Sequence, residues 1–428
     1  MGKLVVPKTQ PPFFPILILI KTTPSWVACM PAGNPQTQDV SKLVLEARAR
    51  LLRVRDVLKS RIIGQDKMID ALIYAVVGKL HVGIIGPPGT SKTMLVMMFS
   101  QLVDAPFFYY QFHRHTTPDE ILGPVNIKAL VEGRLERVQS RLFTARFALF
   151  DEAFNASSAV LNMLLSILNE GVVFDPFNGP RPVPLWTAVA TSNRVPEGDE
   201  LMALYDRFPV RVFVKYLDNE DLVRKALFAS WNQHGEVKPI ASMGDIELLH
   251  NYSIQLAGAD VPSLGGKLLN IFADRGIPLR ERLREEGIVI SDRMFLQHYV
   301  RLFLAYLVIE GLGPNGLDFG AVAYGAHKVL EYLAPDAEGA LKISDIINEA
   351  LGDIGKLRQA VEQARNLIAS RTYENLAQAK KILEDVLRNT DVKKLAKDDF
   401  IRMEIETVLR EARELYQYLL RAESAIPL

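Results

Sequence analysis

The sequence has almost no cysteine, no net charge and no apolar run long enough to span a bilayer. Cys29 is the only cysteine among 428 residues. No intrachain disulfide and no cysteine-built zinc cage can form, which fits a reducing, cytoplasmic setting. Lys and Arg number 50, and Asp and Glu number 50. That balance argues against an overall polyanion-binding surface and leaves room for local patches. The apolar stretch from Phe13 to Ile20 is too short to cross a membrane. Lys3 and Lys8 precede it, so an export signal or lipid anchor is one reading. Pro11, Pro12 and Pro15 break any helix there. The plainer reading is a loose extension over residues 1–40, with Met30 as a second candidate start. What remains is ordinary for a globular chain, with 49% apolar residues and length for two or three domains.

The chain is organised around Gly86-Pro87-Pro88-Gly89-Thr90-Ser91-Lys92-Thr93. An apolar run, Leu80 to Ile85, precedes it, and Met94 opens the apolar stretch that follows. Strand, Gly/Pro loop and helix is the context of a phosphate-binding loop. Glycine lets backbone wrap close to phosphate, and a starting helix aims its free N–H groups at the anion. Lys92 is expected on the β- and γ-phosphates of ATP, with the Thr93 hydroxyl on Mg²⁺. Ser91 departs from the strict motif, which has glycine before the lysine.

Phe147-Ala148-Leu149-Phe150-Asp151-Glu152 puts two carboxylates at the tip of a buried parallel strand. Ligands bind at that edge of a doubly wound sheet. Asp151 is expected in the Mg²⁺ shell, and Glu152 as the base that takes a proton from the attacking water. Asn193 ends another apolar strand, Thr187 onward, where it can contact the γ-phosphate or position water. Pro106 to Phe112 reads as a further buried strand. His113 and His115 after it lack a third ligand at matching spacing, so they read as polar strand-end residues and not as a metal pair. Thr116 to Glu120 is a capped helix start. Ile127 to Val138 alternates around Glu132-Gly133 and reads as a hairpin. A second hairpin is expected from Val172–Asp175 to Val183–Trp186, after an amphipathic helix over Ser158 to Glu170. Gly64-Gln65 lies between two helices ahead of the loop.

These segments occur in the order seen in AAA+ ATPases, and by Leu204-Tyr205-Asp206-Arg207 the resemblance is plain. Leu161 to Glu170 and Thr117 to Pro124 resemble the MoxR family, particularly its RavA-like branch. MoxR-type loops often carry a small residue other than glycine before the lysine. The resemblance covers roughly 40–330. It implies an α/β AAA+ P-loop domain with a parallel sheet over 41–216 and an all-α lid over 217–333; beyond Pro335, three apolar stripes at near-heptad spacing read as a C-terminal helical bundle over 334–428. Gly265-Gly266 and Gly276-Ile277-Pro278 read as loops inside the lid. By the same resemblance, Gly64 and Gln65 lie near the adenine, and the hairpins are the helix-2 insert and the one before the sensor-1 strand. Arg207 looks like an arginine finger reaching a neighbouring subunit, with Arg211 as a rival. Arg293, in Ile290-Ser291-Asp292-Arg293, looks like a sensor-2 residue touching the γ-phosphate in its own subunit.

The function implied is Mg-dependent ATP hydrolysis by a homo-oligomer, expected as a hexamer, that remodels or assembles protein complexes in the cytoplasm. The family's usual partners are von Willebrand A domain proteins. Two other functions compete. A nucleic-acid motor would need cations on the second hairpin, whose tip from Asp175 to Arg181 offers only Arg181. A nucleotide-gated scaffold without turnover has no use for Glu152. Neither nucleic acid nor membrane is expected as a partner.

Overall fold

Runs of apolar residues four to six long become strands here because helices cover both of their faces. In the computed structural model, strands β1 (Val82–Ile85), β2 (Phe107–Gln111), β3 (Phe147–Asp151), β6 (Thr187–Ser192) and β7 (Val210–Phe213) form one sheet, ordered β2-β3-β6-β1-β7. All neighbouring pairs are parallel. Every residue of β1 and β6 is buried. β2 is an edge strand and alternates, with Tyr109 40% exposed. The expectation of a fully buried strand is corrected there, because an edge strand keeps one neighbour only.

The structure describes residues 35–134, 136–175, 179–231, 238–258, 264–313, 316–317, 319–370, 373–392 and 399–424. The expectations for residues 1–34 and the turn at Asn178 lie outside them. Two compact units are found, Met1–Leu43 and Val44–Leu428. The helix α1 (Pro35–Arg61) starts upstream of residue 41. Val44, Ala47, Leu51, Val54 and Leu58, at helical spacing, are all at most 1% exposed. The helices α2 (Asp66–Gly78), α3 (Lys92–Val103), α4 (Pro118–Leu122), α6 (Ser158–Glu170) and α7 (Asp199–Tyr205) accompany the strands. Thr117 and Glu120 form a reciprocal capping box at the start of α4.

Between α4 and β3, the expected first hairpin is instead a short helix, α5 (Ile127–Val131), followed by an isolated bridge from Val125 to Arg137. The apolar residues Ile127, Leu130 and Val131 stand at helical spacing, and Asn126 accepts a bond from the Ala129 N–H, capping the turn. The second hairpin exists, but its return strand is β5 (Gly179–Pro182) and not Val183–Trp186; it pairs with β4 (Val172–Asp175). Asp175 already pairs with Gly179, which adopts φ 70°.

Helices dominate the remainder: α8 (Glu220–Trp231), α9 (Met243–Gly258), α10 (Leu264–Glu285) and α11 (Val300–Tyr306), the last flanked by π-helical turns at Met294–Tyr299 and Leu307–Gly311. Gly265, Gly266, Gly276 and Pro278 lie inside α10, which corrects the loops expected there. At Gly276 a Cβ would stand 3.0 Å from the Tyr299 ring, so the glycine serves close helix packing. The stretch from Met294 to Gly311 runs antiparallel to α2. Tyr74 donates to Glu310 at 2.7 Å and stacks edge-on with Tyr306, while Gly78 faces the Arg301 backbone. After α12 (Phe319–Lys328), the helices α13 (Ala337–Ser370), α14 (Tyr373–Asn389) and α15 (Asp399–Ser424) share a core of Ile354, Val361, Leu383, Ile405, Ala412 and Leu419. That is the expected helical bundle, with α13 broken at Gly352, which adopts φ 52°, ψ −125°.

Candidate functional site

Parallel strands deliver their last residues to one edge of the sheet, and five candidate side chains meet there. The loop leaves β1 at Gly86, where a Cβ would stand 2.4 Å from both the Val214 carbonyl and its side chain. Glycine is required by that close approach to the chain leaving β7. Gly89 has φ 80° with nothing crowding its Cβ position. Thr90 donates to the Pro87 carbonyl at 2.9 Å and closes the turn across Pro88. Ser91 stands at φ 62°, ψ 21°, the left-handed region, and its hydroxyl makes no cap bond to α3.

Lys92 begins α3. Its ammonium donates to Pro87 O at 2.9 Å and to Asn193 Oδ1 at 3.3 Å, and also to Gly86 O. Thr93 Oγ1 donates to Asp151 Oδ2 at 3.2 Å. Asp151 further accepts from the Thr191 hydroxyl and, at 3.4 Å, from Tyr109. Glu152 follows at φ 53°, another left-handed residue. Asn193 Nδ2 donates to one of its oxygens at 2.7 Å and Asn155 Nδ2 to the other at 3.3 Å. A cavity bordered by Glu152, Asn155, Asn193 and Arg194 opens beside them. Burial lowers the Lys92 pKa against the pull of Glu152 and Asp151. Burial, together with the neighbouring Asp151 charge, raises that of Glu152.

This arrangement suits a nucleoside triphosphate with Mg²⁺. One hydroxyl and one carboxylate within 3.2 Å of each other are hard oxygen donors. Among the described residues no group of three His, Cys, Asp or Glu gathers to hold a metal alone. A cation here needs phosphate oxygens and water to fill its shell, which is how Mg²⁺ is usually held. Met94 lies half-buried in α3, packed against the main core. Gly64 packs on Leu217 and Leu222, and Gln65 donates to Lys215 O at 3.1 Å, beside the chain leaving β7. His113 makes only local contacts, accepting from the His115 N–H at 3.2 Å. Asn155, Thr191 and Tyr109 were not foreseen. The signal for Asn155 was its place one short turn after Glu152, and for Thr191 its place in the stretch before Asn193.

The arginines lie at the opposite edge. Val210 starts β7 level with Val82, the first residue of β1, so Arg207 sits at the end of the sheet away from Gly86. Arg207 is half-buried, and its Nε is buried with no acceptor. Its pKa is lowered by burial and by the nearby Arg293 charge. His298, one turn beyond Arg293, is held neutral, lowered to about 3 by burial and by Arg293, Arg301, His81 and Arg207. Following the helix back from Arg301 at Gly78 leads Arg293 past the end of α2, toward His81 and Arg207. Within one chain this leads Arg293 toward His81 and Arg207 and away from Gly86, which does not favour the expected contact with the γ-phosphate of its own subunit. Arg211 is 3% exposed and donates to Phe208 O and Tyr205 O and to Asp206. Its side chain is committed within its own chain.

A family model described as the MoxR domain in the MoxR-vWA-beta-propeller ternary systems matches residues 49–250. An uncharacterized protein of Methanocaldococcus jannaschii is 31% identical over 274 residues, 63% of this chain and 69% of that one. Chaperone MoxR1 of Mycobacterium tuberculosis is 29% identical over 230 residues, 52% of this chain and 59% of its own length. The fold is similar to a solved structure described as a candidate ATPase from Cytophaga hutchinsonii. That likeness has a TM-score of 0.56 and 20% identity, covering 74% of this chain and 98% of the other.

Proposed function

The chain belongs to the MoxR family of AAA+ ATPases, and from that membership we propose that it hydrolyses ATP with Mg²⁺ at sites shared between subunits of a cytoplasmic hexamer, and uses the cycle to remodel protein complexes. The observation that carries the proposal is the meeting of Lys92, Thr93, Asp151, Glu152 and Asn193 at one sheet edge. The loop from Gly86 to Thr93 binds the phosphates through its N–H groups and Lys92, and Gly64 and Gln65 border the base. Thr93 and Asp151 hold Mg²⁺, which supplies charge neutralisation on the phosphates when bound. Glu152 accepts the proton of water. To do so it exchanges one of its two amide bonds, and Asn193 is the amide that also reaches Lys92 and can turn to the γ-phosphate.

Arg207 and Arg293 act together on a neighbour's nucleotide. Burial and the nearby Arg293 charge lower the pKa of Arg207, whose buried Nε has no acceptor, so an anion arriving there would satisfy it. Arg211 is disfavoured as the finger, because its guanidinium already donates to three internal acceptors. The chain is assigned a P-loop domain over 41–216, a lid over 217–333 and a bundle over 334–428. The RavA-like placement rests on Thr117–Pro124 and Leu161–Glu170.

The client is a protein with a von Willebrand A domain, supported by the ternary systems in the description of the matched family model. A nucleic-acid motor is disfavoured. Arg181 stacks over Phe143 at 3.7 Å, and Asp175 is 2% exposed and ion-paired with Arg137 at 3.2 Å, so the described residues of the second hairpin present little for phosphates. Among the described residues no helix is long and apolar enough to cross a membrane. Purified protein tests the reading. ATP turnover that requires Mg²⁺ and is unchanged by DNA supports it; turnover stimulated many-fold by DNA overturns it in favour of the motor.

A further inference from the structure

The cavity beside Glu152 carries more hydrogen-bond donors than the hydrolysis step uses. Its volume is about 520 Å³, within the range of small-ligand pockets. Asn155, Asn193 and Arg194 supply its donors, and Phe154 and Leu201 its apolar wall. Arg194 is fixed through its backbone. The Ser192 hydroxyl accepts from the Arg194 N–H at 3.3 Å and donates to the Arg194 carbonyl at 2.8 Å. Ser192 is itself 5% exposed at the end of β6. The Arg194 guanidinium is exposed and, among the described residues, has no hydrogen-bond or ion-pair partner. A cation with five N–H donors and no acceptor therefore stands on the rim of a cavity that also holds Glu152.

The chemistry assigned to Glu152 changes what this cavity can bind. An amide has two N–H donors, and Asn155 and Asn193 each spend one on a Glu152 oxygen. In hydrolysis the water oxygen bonds to the γ-phosphorus and the bond to the β,γ-bridging oxygen breaks. That electron pair stays with ADP, and the water proton passes to Glu152. Inorganic phosphate is thus formed beside a neutral carboxyl group. A protonated carboxyl oxygen donates where it had accepted, so one of the two amides loses its acceptor. Burial and the Asp151 charge raise the Glu152 pKa, which favours the protonated form. A phosphate oxygen satisfies the released amide, and the planar guanidinium of Arg194 can take two more oxygens of the same anion.

Resting on the function proposed above, we propose that this cavity is a product site for inorganic phosphate, held by Arg194 and by the amide of Asn155 or Asn193 that Glu152 releases on taking the proton. Glu197 also lines the cavity, and its carboxylate repels the anion, which keeps the product from being trapped. All of these residues belong to one subunit. The site is separate from Arg207 and Arg293 at the opposite edge of the sheet and needs no neighbouring copy.

The test is equilibrium dialysis of radiolabelled inorganic phosphate against the full chain loaded with ADP and Mg²⁺. Saturable binding is expected for the parental chain. Arg194→Ala should weaken it by at least about tenfold, the loss of a charge-assisted hydrogen bond. Arg194→Lys should restore part of the loss, since the charge returns without the planar fork. Glu197→Gln should tighten binding, because a repelling charge is gone. A merely structural role for this loop would not move the two positions in opposite directions. Absence of saturable binding in the parental chain, unchanged affinity in Arg194→Ala, or weaker binding in both Arg194→Ala and Glu197→Gln overturns the proposal. ATP turnover with Mg²⁺ in a chain whose phosphate affinity ignores Arg194 removes the product site and leaves the ATPase reading. The opposed shifts in a chain that binds ADP but never cleaves ATP would keep the phosphate site and refute the ATPase reading.

Discussion

Ser91→Gly should make the protein more stable and leave it active. Ser91 is held at φ 62°, ψ 21°. A residue with a Cβ pays about 1–2 kcal/mol in that region, and glycine does not. Glycine gives back about 0.5–1 kcal/mol through the larger freedom of its unfolded chain. The side chain makes no cap bond with α3, so its removal loses no hydrogen bond there. The net expectation is a gain of about 0.5–1 kcal/mol, read as a shift of the urea midpoint at constant slope for the nucleotide-free chain. Turnover should stay within about tenfold, or 1.4 kcal/mol in barrier. Ser91→Val is the opposing control, because a β-branched residue at positive φ is strained further. A fall in stability of Ser91→Gly by more than about 1 kcal/mol, or a collapse of turnover, would refute the reasoning and reveal a role for the hydroxyl.

Lys92→Ala should abolish nucleotide binding, and Glu152→Gln should bind ATP yet not turn it over; both are read by equilibrium binding of a fluorescent ATP analogue alongside phosphate release. The raised pKa of Glu152 sets the acid limb of the pH profile, because the base works only when ionised. Turnover should therefore begin to fall at a higher pH than an ordinary glutamate would give, by about tenfold per unit below its pKa; a flat profile down to the usual carboxylate range contradicts this. Arg211→Ala should cost about 3 kcal/mol in unfolding experiments, since it strands the buried carbonyls of Phe208 and Tyr205, while Arg207→Ala should change stability little. Equal losses in the two variants would argue against the distinction.

Much of the nucleotide edge was legible because strand-end residues are fixed by chain order alone. Once Leu80–Ile85 and Phe147–Phe150 read as parallel strands, Lys92, Asp151 and Glu152 had to share an edge. The amphipathic helix over Ser158–Glu170 was also legible to the residue, since its period is long and unbroken. Short segments were not. Ile127–Val131 carries a spacing that fits a strand or one helical turn, and the Asn126 cap decided it. Arg293 could be assigned a type but not a position, because its place depends on the direction of a helix packed against α2. Arg211 has the charge of a surface residue, and only its three carbonyl and carboxylate acceptors explain its burial. The glycines of α10 read as breakers, whereas Gly276 is there for the Tyr299 ring.

The central claim is a site split between subunits, and mixing inactive variants tests it most directly. Arg207→Ala and Glu152→Gln should each bind ATP without turnover. Combined in equal amounts, random assembly leaves about a quarter of heterologous interfaces with an intact Glu152 facing an intact Arg207. Activity should return in that proportion. Arg293→Ala mixed with Glu152→Gln should behave the same way if Arg293 also serves the neighbour, and should stay inactive if it serves its own loop. Mixtures that remain as inactive as their parents, despite co-assembly shown by sedimentation, would contradict the shared site.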